Sequence, residues 1–223
     1  MATKAMVTAK QIVEAAEDAL SNRFGFVWYT SGELWDQEKQ NAESHSSKAN
    51  ARANVNFGNR WIGRHVTDDT GLFEYAFREA GDKRSFSRQN LMSGCTSRGI
   101  LANGKREDGK ELKPGSIMFQ IKEYPDEAKL KIALFDLSIP VSYIERVGIY
   151  IGGGKVIYAA NFTSGVSRVS ADKFNAWGEL RDVDYSVLPD GKAAKYTLHV
   201  EHMSKADAEN VVKFNKWSSM KRE

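Results

Sequence analysis

Two adjacent carboxylates, Asp68 and Asp69, stand with Thr70 and Gly71 in front of a run whose apolar residues, Leu72, Phe73, Ala76 and Phe77, recur at helical spacing. Asp68 has the type and place of a helix cap. Asp69 falls in the first turn, where the helix dipole favours a negative charge. An ionised carboxylate there is a poor nucleophile toward an amide. It can instead serve as a general base on water or hold a cation. The remaining reactive side chains are dispersed. Cys95 is the only cysteine; it sits in Ser93-Gly94-Cys95-Thr96-Ser97 with no helix start or histidine in register, and it reads as a small core residue. His65, four residues before Asp69, reads as a hydrogen-bonded structural histidine, with the rim of a pocket as the other option. His199 and His202 have neither HExxH spacing nor carboxylate neighbours, so they read as surface residues. Gly152-Gly153-Gly154 lacks the following Lys-Ser/Thr of a phosphate loop, and Asn161-Phe162-Thr163 is a glycosylation sequon by pattern only. No metal and no cofactor is expected.

At 223 residues the chain suits one domain, or one domain with a small appendage. Its hydrophobic content of 41% and charged content of 27% are those of a globular protein. A net charge of +3 permits an anionic partner without arguing for one, and nucleic acid is not expected. No long uncharged apolar run is present, so no membrane span is expected. The opening Met1-Ala2-Thr3-Lys4-Ala5-Met6 leads into a polar helix and not an apolar h-region. One cysteine excludes an intrachain disulfide. Both features fit synthesis in a reducing cytoplasm.

The elements that must position these residues are partly legible. Thr8-Ala9-Lys10-Gln11 reads as a capping box, and Ile12, Val13, Ala16, Ala19 and Leu20 give an amphipathic first helix that ends near Asn22. Residues 23–32 form an aromatic stretch broken by glycines, and residues 33–60 read as a helix followed by an exposed loop. The helix after Asp68 stops at Gly81, and a second, weaker one lies around residues 86–94. Turn signals at Asn103-Gly104 and Asp108-Gly109 bound a charged tip. Ser116–Ile121 reads as a strand. Arg146–Ile151 and Lys155–Ala159 read as a β-hairpin joined by the glycine turn. The insertion 122–145 has no settled reading. Near Asp190-Gly191 a linker precedes a strand at 196–201 and a helix that Ser204 caps, giving a domain 1–188 and an appendage 189–223. One strand and one helix bury too little to stand alone.

Three blocks in order resemble the NlpC/P60 family of cell-wall cysteine peptidases. Gly25-Phe26-Val27-Trp28 with Ser31-Gly32 is similar to its Tyr-Val-Trp-Gly entry. Asp68-Asp69-Thr70-Gly71-Leu72-Phe73 is similar to its Asp-Cys-Ser-Gly-Leu helix start. Lys113-Pro114-Gly115-Ser116-Ile117 and Arg146-Val147-Gly148-Ile149-Tyr150-Ile151-Gly152 are similar to its Pro-Gly-Asp-Leu and His-Val-Gly-Ile-Tyr-Ile-Gly strands. The wording of residues 30–35 and 61–68 looks most like the phage and prophage branch. The resemblance implies an α+β, papain-like fold: N-terminal helices packed on an antiparallel, partly closed sheet, with the C-terminal strand–helix element appended.

Carried over residue by residue, the catalytic positions are altered. Asp69 stands in the nucleophile's place, Arg146 in the histidine's and Tyr158 in that of the third polar residue, while Phe26 replaces a tyrosine. Arginine stays protonated, so Arg146 cannot act as a general base. The paired change of Cys to Asp and His to Arg implies a structural or ligand-holding ion pair between Asp69 and Arg146. Trp28, Tyr29, Asp68 and Thr70 are the ligand contacts the resemblance implies. The expected function is a catalytically degenerate protein that keeps a cleft for a cell-wall peptide or a protein partner, of phage derivation. The alternatives are a peptidoglycan hydrolase using Asp69 as base, and a structural virion or interaction protein. The destination implied is the cell wall or a virion.

Overall fold

In a computed structural model, which describes residues 6–187 and 189 apart from 123 and 125, the chain opens with strand β1 (Val7–Thr8) and helix α1 (Ala9–Ser21). The capping box forms as the sequence predicts. Gln11 N–H donates to Thr8 Oγ1 at 3.2 Å, and Thr8 N–H donates to Gln11 Oε1 at 2.9 Å. Ile12, Val13, Ala16 and Ala19 are buried along one stripe.

Strands β2 (Gly25–Phe26) and β3 (Ser31–Trp35) follow, then two short helices, α2 (Gln37–Ala42) and α3 (Ala51–Phe57), and strand β4 (Arg64–Thr67). The three strands form a small sheet in the order β2-β4-β3. Residues 33–35, expected to be helical, are therefore strand. The reason is Trp35, which is buried against Val27 and Val66 and donates its indole N–H to Gln40 Oε1 at 2.9 Å. The polar text of residues 37–57 arises because α2 and α3 bury little beyond Gln40, Ala51 and Asn54. Two of these are buried amides with backbone partners: Asn54 Oδ1 accepts from Trp28 N–H at 2.9 Å, and its Nδ2 donates to Trp28 O at 3.1 Å. That reciprocal pair fixes the backbone at Trp28.

Helix α4 (Gly71–Glu79) buries Leu72, Phe73, Ala76 and Phe77 completely and packs on α1. Its first residue must be glycine: a Cβ there would lie 1.9 Å from the carbonyl oxygen of Thr30. Helix α5 (Arg88–Ser93) carries a second capping box, Ser87 with Asn90. The strands β5 (Cys95–Ala102), β6 (Lys105–Arg106) and β7 (Ile117–Ile121) come next, followed by helix α6 (Glu127–Phe135). The unsettled insertion 122–145 thus contains a helix, started by Asp126, whose side chain accepts from Lys129 N–H. The chain continues through β8 (Ile144–Gly152), β9 (Lys155–Asn161), β10 (Gly165–Ser170), β11 (Ala176–Leu180) and β12 (Val183–Asp184), the last pairing in parallel with β1.

Seven strands form one antiparallel sheet in the order β10-β9-β8-β7-β11-β5-β6, curled into half a barrel. The fold is α+β. Strand alternation divides the side chains between two clusters. Ile117, Phe119, Val147, Ile149 and Ile157 join Phe73, Phe77 and Ile12 in the main core, whereas Met118, Tyr150, Tyr158 and Trp177 form a second cluster. Cys95 lies in the main core, 3% exposed. Its thiol donates to Leu91 O, and burial pushes its pKa up to about 12, which makes it inert. Among the described residues no helix is long and apolar enough to cross a membrane. The appendage 189–223, with His199, His202 and the Ser204-capped helix, lies outside the described residues except for Pro189.

Candidate functional site

The start of α4 is built by Asp68. Leu72 N–H donates to Asp68 O at 3.1 Å, so helical hydrogen bonding begins at Asp68, ahead of the assigned first residue. Asp68 Oδ1 accepts from Gly71 N–H at 2.7 Å and from Thr70 Oγ1 at 3.2 Å, and Oδ2 accepts from Tyr29 N–H at 2.8 Å. The carboxyl therefore ties the β2–β3 connection to the helix. It is 6% exposed, and burial raises its pKa to about 6, with the neighbouring Asp69 charge adding to the effect and the Gly71, Tyr29 and Thr70 donors opposing it. A carboxyl whose pKa is higher in the folded state than its usual 3.8 stabilises the fold fully below pH 3.8, and that contribution is lost as pH rises through about 6. The stability of the protein relative to Asp68→Asn should accordingly fall between those two values and level off above them. Denaturant unfolding across that range checks this; a difference that is flat or rises with pH would contradict it.

Asp69 occupies the next position, 5% exposed, in the first helical turn. Its Oδ1 accepts from Thr70 N–H at 3.0 Å, and its Oδ2 accepts from Arg88 Nε at 2.7 Å. The expected pair with Arg146 is not formed: among the described residues the cation bonded to Asp69 is Arg88, the first residue of α5. The physical reason is local. The Ser87–Asn90 capping box sets the start of α5 so that Arg88 reaches both Asp69 and, through Nη1 at 2.8 Å, the carbonyl of Ile144 at the head of β8. Arg146, two residues further along β8, donates instead to Tyr158 Oη at 3.3 Å and lies 5.6 Å from the centre of that ring.

A cleft of about 240 Å³ gathers Asp69, Arg88, Glu145 and Arg146 against Phe26, Trp28 and Phe162. Phe26 meets Trp28 edge-on at 4.8 Å and Phe162 at 5.2 Å, so the aromatic wall is self-supporting. Of the residues named from sequence, Phe26, Trp28, Asp69 and Arg146 share this cleft, and Tyr158 stands behind Arg146. The others are placed differently. Asp68 and Thr70 have their side-chain oxygens engaged at the helix start and, for Asp68 Oδ2, by Tyr29 N–H. Tyr29 is 45% exposed in a left-handed conformation (φ 67°), with the ammonium of Lys48 over its ring at 5.1 Å. His65 lies away from the cleft: its Nδ1 bonds to Gly32 O at 2.8 Å and its ring stacks on Phe24. Arg88, Glu145 and Phe162 were not anticipated. Ser87 followed by Asn90 marks the helix start, but nothing in the sequence distinguishes Arg88 among 32 basic residues.

As chemistry, the cleft offers a carboxylate already paired to a guanidinium, a second guanidinium bonded to the Tyr158 hydroxyl, and an aromatic wall. No thiol or imidazole is part of it. Such a set can bind and orient a ligand.

The chain has a mixed helix and half-barrel architecture, and solved structures similar to it are NlpC/P60 domain proteins, one of them described as non-catalytic. No family model and no curated protein matches the sequence. The NlpC/p60 domain of the peptidoglycan hydrolase SagA is 13% identical, with 78% of this chain and 100% of that one covered and a TM-score of 0.43. A lipoprotein-like NLP/P60 protein from Staphylococcus aureus is 14% identical over 81% of this chain, which spans 45% of that protein, at a TM-score of 0.40. RipD from Mycobacterium tuberculosis, described as a non-catalytic NlpC/p60 domain protein adapted to peptidoglycan binding, is 15% identical over 71% of this chain and 87% of its own, at 0.35.

Proposed function

We propose that this chain is a catalytically degenerate NlpC/P60-like protein whose cleft binds a cell-wall peptide without cleaving it. One observation carries the reading: the residue in the nucleophile's place, Asp69, is a buried carboxylate bonded to Arg88 Nε at 2.7 Å, so it is neither a nucleophile nor a free base. The aromatic wall of Phe26, Trp28 and Phe162 beside it supports retention of a binding cleft. The wording of residues 30–35 and 61–68 supports an origin in a phage or prophage, and with it delivery to the cell wall or a virion.

The test is a thermal melt with a soluble muropeptide, followed by the mass of that muropeptide. At a ligand concentration ten times the Kd, binding to the folded state raises the melting temperature by about 3–6 °C for a domain of this size. The reading predicts that rise for the protein as it stands, its loss in Trp28→Ala, and an unchanged ligand mass. No rise with either protein would support a purely structural role instead. Cleavage that disappears in Asp69→Asn would establish the hydrolase reading and overturn this one.

A further inference from the structure

The two arginines of the cleft are not equivalent. Arg88 is committed within the protein: Nε is on the Asp69 carboxylate and Nη1 on the Ile144 carbonyl. The charge of Asp69 is thereby balanced within the protein. Arg146 has no such partner. Among the described residues no carboxylate forms an ion pair with it, and its one hydrogen bond goes to the hydroxyl of Tyr158 at 3.3 Å. A guanidinium has five N–H donors in a planar fork that matches a carboxylate in bidentate geometry. Most of that fork is left for a ligand. Glu145 borders the same cleft, but as an exposed side chain without an ion pair to Arg146.

The setting also holds Arg146 in place before any ligand arrives. It lies against the ring of Tyr158, which is 9% exposed and packed edge-on against Phe174 at 6.1 Å. A pre-positioned cation loses little side-chain entropy on binding. Opposite it, Trp28 and Phe162 supply apolar surface for the aliphatic part of a ligand. The volume, about 240 Å³, falls below the roughly 300–1,000 Å³ of pockets that enclose drug-sized molecules, so it suits one residue of a longer peptide and not a whole ligand.

We propose that Arg146 is the carboxylate-recognition residue of this cleft, and that the ligand class is a peptide presenting a free carboxylate to it between the aromatic wall and β8. This rests on the binding function proposed above and narrows it. The position that would hold a histidine in a peptidase here sets specificity, with Tyr158 as the positioning residue behind it.

The experiment compares a short synthetic cell-wall stem peptide bearing free carboxylates with the same peptide fully amidated, by calorimetric titration of the full chain. Charge-assisted hydrogen bonds from a guanidinium predict that amidation weakens binding about ten- to a hundredfold. Arg146→Gln should bind both forms within about twofold of each other, while Arg146→Lys keeps part of the preference, because it retains the charge and loses the fork. Equal binding of acid and amide by the unaltered protein would overturn the carboxylate assignment and leave the binding function standing. So would a loss in Arg146→Gln that is the same for both peptides. Failure of both peptides to bind the unaltered protein would overturn the two together.

Discussion

Asp69→Cys is expected to yield a thiol that reacts with iodoacetamide more than about a thousandfold faster than Cys95 at neutral pH. The two sites are similarly buried and differ in the charges and dipoles that set thiolate population. Cys95 is 3% exposed, and burial pushes its pKa up to about 12. A sulfur at position 69 would sit in the first turn of α4, next to Arg88 Nε and on the wall of an open cleft. Helix N-termini and neighbouring guanidinium groups lower a thiol pKa below its ordinary ~8.5. The pH at half-maximal alkylation should therefore fall below that of a model thiol, and Arg88→Met should raise it again. Peptide mass mapping assigns the label to residue 69 or 95. A thiol at 69 no more reactive than a model thiol would mean that the start of α4 does not create the electropositive site described. Faster alkylation does not imply hydrolysis, because Arg146 cannot take a proton from the attacking group.

Much of the framework is legible in the sequence because it rests on local rules. The Thr8 capping box, the Asp68 cap, and the hairpin through Gly152–Gly154 depend on residues within a few positions of each other, and each forms. What is not legible depends on distant partners. Residues 33–35 read as helix because they open the polar, alanine-rich stretch 33–60; they are strand because Trp35 finds Val27, Val66 and Gln40. The strands β5, β10 and β11 escape notice because their alternation is interrupted. Gly99 and Gly178, for example, stand where the neighbouring Trp177 indole and Cys95 thiol crowd the backbone.

The candidate site follows the same division. Asp69 and Arg146 are found in the sequence because their strand and helix keep recognisable wording. Their pairing is an inference about space, and it fails because a third residue intervenes. Arg88 is 19 positions from Asp69 and belongs to none of the three recognisable blocks. Its selection depends on how α5 is aimed, which one capping box decides. Two residues matched separately to motifs in a sequence need not meet in space.

The largest stability effect is expected at Asp69→Ala. That change leaves the Arg88 guanidinium, whose side chain is only 24% exposed, without its acid. Breaking a buried ion pair costs ~3–5 kcal/mol, and the partial exposure of Arg88 places this one near the lower end, about 3 kcal/mol. Removing both charges should be milder than the sum of the single losses, since no uncompensated group remains. The measurement that decides the account is the double-mutant cycle of Asp69→Ala with Arg88→Met, run beside the cycle of Asp69→Ala with Arg146→Met, by denaturant unfolding. If Asp69 is a structural ion-pair partner of Arg88, the first cycle gives a coupling of about 2 kcal/mol and the second stays within ~0.5 kcal/mol of additivity. Additivity in the first cycle, or coupling that appears only with Arg146, would contradict the claim that Arg88 holds the Asp69 carboxylate.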